Sequence, residues 1–333
     1  MAFLYVTEQG ALIRKEGQRL IVEKDDEILA DIPAVKVESV LVFGNVQFTT
    51  QAVRLMLENN MEMALFSSKG RLLGQLTSPM PKNIVIRQAQ YARHQEQEFV
   101  EGFARAITSA KIRNCLEFLR EYSHNHPDLD LSLEKAQVQD GLQASEKASD
   151  SQSILGIEGS AARAYFAAFS KMIGAGFTFT GRKRRPPPDP VNALLSLGYT
   201  MIYNELNSLL DGIGFDPFLG FLHQPRYGHA TLASDIVEEF RAPLVDRFTL
   251  KLINNRMLKP EDFVVHPPSG GVYLSHESRK NYFAEYEKFV NSPMKLADEN
   301  SPLSFRRLFL RQAQRLRETV LEKTVYRPFT FSW

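Results

Sequence analysis

Residues 78–122 read SPMPKNIVIRQAQYARHQEQEFVEGFARAITSAKIRNCLEFLREY, and within them the period of the chain changes. Pro79 and Pro81 each fix their own φ and push the preceding residue away from helix, so Ser78–Pro81 reads as a hinge and a domain boundary. Beyond it Phe99, Phe103, Ala106, Ala110, Leu116 and Leu119 recur at helical spacing, which predicts one long helix over 84–122. Its charges, Arg87, Arg93, Arg105, Lys111, Arg113 and Arg120, read for the most part as a solvated face. Cys115 reads as a small, inert apolar contact.

Upstream of the hinge the pattern is of short strands, at 3–6, 11–14, 19–22, 28–32, 37–43 and 61–66. Turn residues such as Gly10, Gly17, Asp25–Asp26, Pro33 and Gly44–Asn45 punctuate them. Thr49–Thr50 cap a lone helix over 51–58. Downstream, 123–153 is polar and reads as a connection holding at most a short helix. Helices are expected from Ile154, from Pro190 behind an Asp189 N-cap, over 243–255, 275–290 and 302–323, with a loop or small hairpin at 264–274. The fold class that follows is α+β: a small N-terminal β domain, 1–80, followed by a larger all-helical domain, 81–333, in which the candidate catalytic residues named below all fall.

The 333 residues are 44% hydrophobic and 24% charged, ordinary usage for a globular chain with room for two domains. A net charge of +1 means that any affinity for nucleic acid has to come from local patches. The single cysteine excludes an internal disulfide. No basic flank followed by an apolar run opens the sequence, and no apolar stretch approaches the ~20 residues that span a bilayer, so the expectation is a cytoplasmic protein with no membrane partner.

Chemistry concentrates in PFLGFLHQPRYGHATLASDIVEEFRAPLVDR, residues 217–247, which gathers His223, Asp235, Glu238 and Glu239. A helix beginning near Ser234 sets Asp235 and Glu238 one turn apart, on neighbouring sides of one face, with Leu232, Ile236, Val237 and Phe240 toward the core. A histidine nitrogen with carboxylate oxygens suits Mn²⁺, Mg²⁺ or Zn²⁺. A surface histidine beside an acidic helix face is the ordinary alternative. In ILGIEGSAARAYFAAFSKMI the acidic Glu158 shares an apolar face with Leu155, Ala162, Tyr165 and Phe169, where an unpaired carboxylate is costly. Either a functional cation or a structural ion pair has to meet it. Arg182, Lys183, Arg184 and Arg185, stiffened by Pro186–Pro188, form the best phosphate-contact run in the chain, with a solvated loop as the alternative. Arg307, Arg311 and Arg315 form a second basic stripe.

Taken together, GIEGSAARAYF, RRPPPDPVNALLSLGYTMIYNEL and GFLHQPRYGHATLASDIVEEFRAPLVDR, in that order, resemble the CRISPR-associated adaptation endonuclease family, the integrase subunit that captures new spacers. The resemblance implies a Mg²⁺- or Mn²⁺-dependent DNA endonuclease and integrase that inserts spacer DNA by 3′-hydroxyl attack on a phosphodiester. It puts the metal on Glu158, His223 and a third acid at Glu238, with Asp235 matching a second acidic position. Which of those two acids completes the coordination stays open. Arg241 and the 182–185 run would hold the DNA backbone, and Tyr165 and Tyr199 would line the same cleft. The implied partners are double-stranded DNA (spacer precursor and CRISPR repeat or leader), a second copy in a homodimer, and a second small CRISPR-associated adaptation protein. A stand-alone metal-dependent phosphodiesterase and a non-catalytic DNA-binding scaffold are the other readings, and an acid on an apolar face speaks against the scaffold.

Overall fold

The computed structural model describes residues 2–67, 72–76, 84–148, 150–174, 176–183, 185–296 and 302–331, so the Ser78–Pro81 hinge and Arg184 lie outside the described residues. The chain forms two compact units. One comprises Met1–Met80 with Ser275–Glu287, and the other Pro81–Leu274 with Lys288–Trp333. Helix α9 (His276–Asn291), read from sequence as part of the helical domain, therefore contributes its first residues to the strand-rich unit.

In that unit, strands β1 (Ala2–Val6), β5 (Val37–Phe43), β7 (Glu62–Phe66) and β8 (Leu72–Leu76) form one sheet in the order β1-β5-β7-β8. Strands β2 (Leu12–Glu16), β3 (Arg19–Lys24), β4 (Glu27–Pro33) and β6 (Gln47–Phe48) form another, in the order β4-β3-β2-β6. The alternation of Val and Ile with polar residues turns Ile13, Leu20, Val22, Val40 and Val42 to a common core with Leu55 and Met56 of helix α1 (Thr50–Glu58). Thr49 caps α1, its hydroxyl accepting from the Ala52 amide at 3.1 Å. Phe283 of helix His276–Asn291 stacks on Tyr5, ring centroids 4.8 Å apart.

The second unit is helical. The helix expected over 84–122 is two, α2 (Ile84–His94) and α3 (Gln97–Asn125). Between Tyr91 and Phe99 the sequence ARHQEQE offers no large apolar side chain, so little packing holds the run continuous there. The polar connection read at 123–153 contains a full helix, α4 (Ser132–Lys147), built of good helix formers and anchored by Val138 and Leu142. It packs closely on α5 (Ser151–Met172): a Cβ added at Gly141 would come within 3.0 Å of the Ala161 Cβ. Helix α6 (Pro190–Ile213) starts as the sequence predicts, with the Asp189 carboxylate accepting from the Asn192 amide at 2.8 Å and Pro190 in the first turn.

After α6 comes one long, irregularly wound run: α7 (Thr231–Val237), a 3-10 turn (Glu238–Phe240), a π-helical turn (Arg241–Asp246) and α8 (Arg247–Asn254). Pro243 lies inside the π turn and cannot donate a main-chain hydrogen bond, which is where a regular winding would fail. The unit is not all-helical, since β9 (Phe263–His266) and β10 (Gly271–Leu274) pair as an antiparallel hairpin. Helix α10 (Phe305–Glu322) follows, its start capped by Ser304. Among the described residues no helix is long and apolar enough to cross a membrane.

Candidate metal centre

Asp235 organises the loop that delivers His223. It is fully buried, and its Oδ2 accepts from the amides of Phe221 at 2.6 Å and Leu222 at 3.0 Å. Its Oδ1 accepts from the His223 amide at 3.0 Å and meets His223 Nδ1 at 2.7 Å. Gly220 makes this wrap possible: a Cβ there would stand 2.6 Å from Asp235 Oδ2 and 2.9 Å from the Thr231 carbonyl carbon. With Nδ1 engaged, Nε2 is the nitrogen turned to the site, and it lies 3.9 Å from Glu238 Oε1. Burial opposes the imidazolium, but the bond to Asp235 and the charges of Asp235, Glu238 and Glu158 outweigh it and raise the His223 pKa.

Glu238 opens the 3-10 turn and is 2% exposed. Arg241 Nη2 binds its Oε1 at 2.7 Å, and Lys111 Nζ lies 2.6 Å from its Oε2. Burial works to neutralise this carboxyl; Arg241, Lys111 and His223 overcome burial and hold its pKa at about 2. The same Lys111 ammonium, reaching in from α3, also bonds Glu158 Oε1 on α5. Glu158 is 20% exposed on its side chain, so it borders the site's opening.

The structure thus brings Glu158, His223 and Glu238 to one place, with Asp235 behind His223. It does so around a lysine. Among the described residues no three His, Cys, Asp or Glu side chains already stand at metal-ligating spacing, and Lys111 occupies the position between the two glutamates. The structure corrects the reading of Lys111 as a solvated charge, since its ammonium pairs with both glutamates and its side chain is largely buried. The signal was in the sequence: Ile107, Lys111 and Cys115 follow one line at four-residue spacing, and both neighbours are buried. Even so, the donor set fits a hard divalent cation. Two carboxylates and an imidazole nitrogen converge, the nitrogen is selected by Asp235, and the buried Oε2 of Glu238 has a cation as its close contact.

Other predicted residues take different places. Tyr165 and Tyr199 are buried and donate to Asp246, at 2.8 and 2.5 Å, on the wall of a cavity of about 250 Å³ that Lys111, Glu158, Arg182 and Arg241 also line. Burial and the Asp246 charge push both phenols well up. Burial likewise raises Asp246 to about 6, against the two tyrosine bonds and Arg241 and Arg182. Cys115 lines the same cavity, its thiol pushed up by burial, in keeping with an inert contact. Arg241 is committed to Glu238 and to the Tyr199 ring, 4.7 Å away, rather than presented to a phosphate. Arg182 binds Asn192 Oδ1 at 2.9 Å and the Lys183 carbonyl at 2.7 Å, so it holds the loop. Lys183 and Arg185 are exposed.

Behind the site, Glu239 is clamped from 73 to 90 residues away in sequence. It accepts from Gln312 Nε2 at 2.8 Å, Tyr326 Oη at 2.7 Å and the Phe329 amide at 2.5 Å. Asn114 of α3 completes the clamp, donating to the carbonyls of Glu239 and Phe329. Burial raises Glu239 to about 7 despite the bonds from Phe329, Tyr326 and Gln312. Nothing near Glu239 in the sequence marks this role, because its partners are remote.

A family model described as CRISPR associated protein Cas1 matches residues 4–288. A CRISPR-associated exonuclease Cas4/endonuclease Cas1 fusion from Geobacter sulfurreducens is 35% identical over 326 residues, 94% of this chain; the chain spans 57% of that fusion. A CRISPR-associated endonuclease Cas1 from Thermus thermophilus is 33% identical over 329 residues, 98% of this chain and 96% of the relative. Among solved structures, a chain of a Cas6-RT-Cas1–Cas2 complex superposes with a TM-score of 0.83 at 28% identity, covering 99% of this chain and 36% of that one. A family match over most of the chain and relatives above 30% identity over nearly all of it lead to one conclusion: this chain belongs to the Cas1 family of CRISPR-associated proteins.

Proposed function

We propose that this chain is a DNA endonuclease and integrase of CRISPR adaptation that holds Mg²⁺ or Mn²⁺ on Glu158, His223 and Glu238. The observation that carries the reading is the meeting of these three side chains, from α5, the 217–223 loop and the 3-10 turn, at one partly open, charged place. Its family setting is that of relatives named as CRISPR-associated endonucleases. A divalent ion there supplies Lewis acidity to a phosphoryl oxygen and lowers the pKa of bound water.

The chain's own residues prepare that chemistry. Asp235 fixes the His223 ring so that Nε2 faces the site, and on this reading it orients a ligand and is not one itself. Arg241 holds the Glu238 carboxylate in place. Lys183 and Arg185 are exposed, and their side chains take no part in the architectural bonds that occupy Arg182, so they are the residues of the run that we assign to duplex phosphates; Arg184 lies outside the described residues. The substrates are spacer-precursor DNA and the CRISPR repeat or leader. A second small adaptation protein joins a homodimer of this chain. For that protein the support is the likeness to a chain of a Cas6-RT-Cas1–Cas2 complex; for the homodimer it is the family resemblance.

The test is Glu158→Gln, measured for cleavage of duplex DNA and for joining of a 3′-hydroxyl duplex into a repeat-bearing plasmid in Mn²⁺. Both activities should fall by about 100-fold or more, the scale of losing an electrostatic catalytic group, with the melting temperature little changed. Near-normal joining by the folded variant would remove Glu158 from the site. Cleavage without joining in the wild-type protein would favour a stand-alone phosphodiesterase.

A further inference from the structure

We infer that Lys111 is the resident cation of the metal-free site, bridging Glu158 and Glu238, and that its ammonium has to leave when a divalent ion enters. The inference rests on the metal reading above and adds an exchange step to it.

Three observations carry it. The Lys111 ammonium bonds one oxygen of Glu158 and lies 2.6 Å from one of Glu238, with the side chain only 14% exposed. An ammonium has donors only, so such a position is made for carboxylates and is one a metal ion would also take. The charges of the two glutamates and of the two cations that bind them also balance. Glu158 and Glu238 bring two negative charges, and Lys111 and Arg241 two positive ones. Adding a divalent cation without releasing one of these would crowd like charges in a poorly solvated place.

Of the two cations, only lysine is built to move. The Arg241 guanidinium is held against Glu238 and over the Tyr199 ring, whereas Lys111 carries a compact charge on a flexible four-carbon stem. The stem also has somewhere to go, because Lys111 lines a partly open cavity of about 250 Å³. Cation exchange of this kind means that the two glutamates never face each other uncompensated, with or without metal.

The experiment uses metal-stripped protein and Mn²⁺ as the probe. Free Mn²⁺ is followed by electron paramagnetic resonance during titration of wild type and Lys111→Met, with Glu238→Gln to identify the site. In parallel, acylation of Lys111 in the wild type by acetic anhydride is quantified by peptide mass spectrometry with and without Mn²⁺. The methionine variant should bind Mn²⁺ about tenfold more tightly, because a competing charge is gone. Labelling of Lys111 should rise several-fold on saturation, while the exposed Lys183 stays constant. Equal or weaker binding by folded Lys111→Met, or Lys111 labelling that stays flat or falls with bound Mn²⁺, overturns the exchange. Should the variant fail to fold, wild-type labelling decides alone. If wild type and Lys111→Met both fail to bind Mn²⁺, the metal reading itself is overturned, an outcome separate from equal binding by both.

Discussion

An aspartate that accepts from three successive amides and one imidazole has its oxygens occupied before any ion arrives. That is why, on the metal reading proposed above, the geometry favours Glu238 over Asp235 as the third ligand, a choice that spacing along the sequence left open. Asparagine at 235 would turn an NH₂ group toward donors and release the ring. Asp235→Asn is therefore expected to weaken Mn²⁺ binding by about 10–100-fold, the usual cost of losing a partner that orients a ligand, checked by calorimetric titration. Unchanged affinity would make Asp235 a loop anchor alone. Asp246 supplies a pH test. Its folded pKa of about 6 exceeds the ordinary 3.8, so between those values the native state binds more protons than the unfolded one. Stability therefore falls as pH rises from about 4 to 6, by roughly 3 kcal/mol for this group. Urea unfolding of wild type and Asp246→Asn across that range should show the wild type losing ground as pH rises, and a constant difference would contradict a raised pKa. Of the residues around these two acids, Glu158 and His223 could be read from sequence because an acid on an apolar face and a histidine ending an apolar run are conspicuous. Lys111 could not be read as easily, since lysines on amphipathic helices are ordinarily solvated and its two partners lie on other elements.

At the scale of elements, legibility followed how local the signal was. Thr49 and Asp189 cap α1 and α6 through residues three positions on, and both starts are visible in a short window of sequence. Helix α4 was obscured because it presents only Val138 and Leu142 as buried apolar anchors and gains its place by close approach to α5. The π turn went unread although Pro243, where regular winding fails, stands in the sequence. The 217–223 loop depends on Gly220 through tertiary contacts with Asp235 and Thr231. Gly220→Ala has to displace either Asp235 or the start of α7, so a loss of about 1–3 kcal/mol, the scale of overpacking, is expected in denaturant unfolding. Weaker Mn²⁺ binding should accompany it, because His223 rides on that loop. A neutral substitution would show that the loop has slack.

For the whole molecule, a net charge of +1 leaves DNA affinity to particular side chains. Lys183 and Arg185 are exposed while Arg182 is used internally, so replacing Lys183 and Arg185 by alanine should weaken duplex binding. It should also flatten log affinity against log salt by roughly 0.9 for each phosphate no longer neutralised, with Mn²⁺ affinity unchanged. An intact slope would redirect the search to Arg307, Arg311 and Arg315. The change of period points to a boundary near Ser78, but the use of Ser275–Glu287 by the strand-rich unit was not legible, because a helix's own sequence does not say which neighbour it serves. The clamp on Glu239 also has a consequence in time. A ribosome makes Glu158, His223 and Glu238 early, yet the last donor to Glu239, the Phe329 amide, is synthesised 90 residues after it. During translation these three side chains thus exist well before the group that seats the turn beside them, so a nascent chain carries the parts of the proposed site without yet holding them in working order.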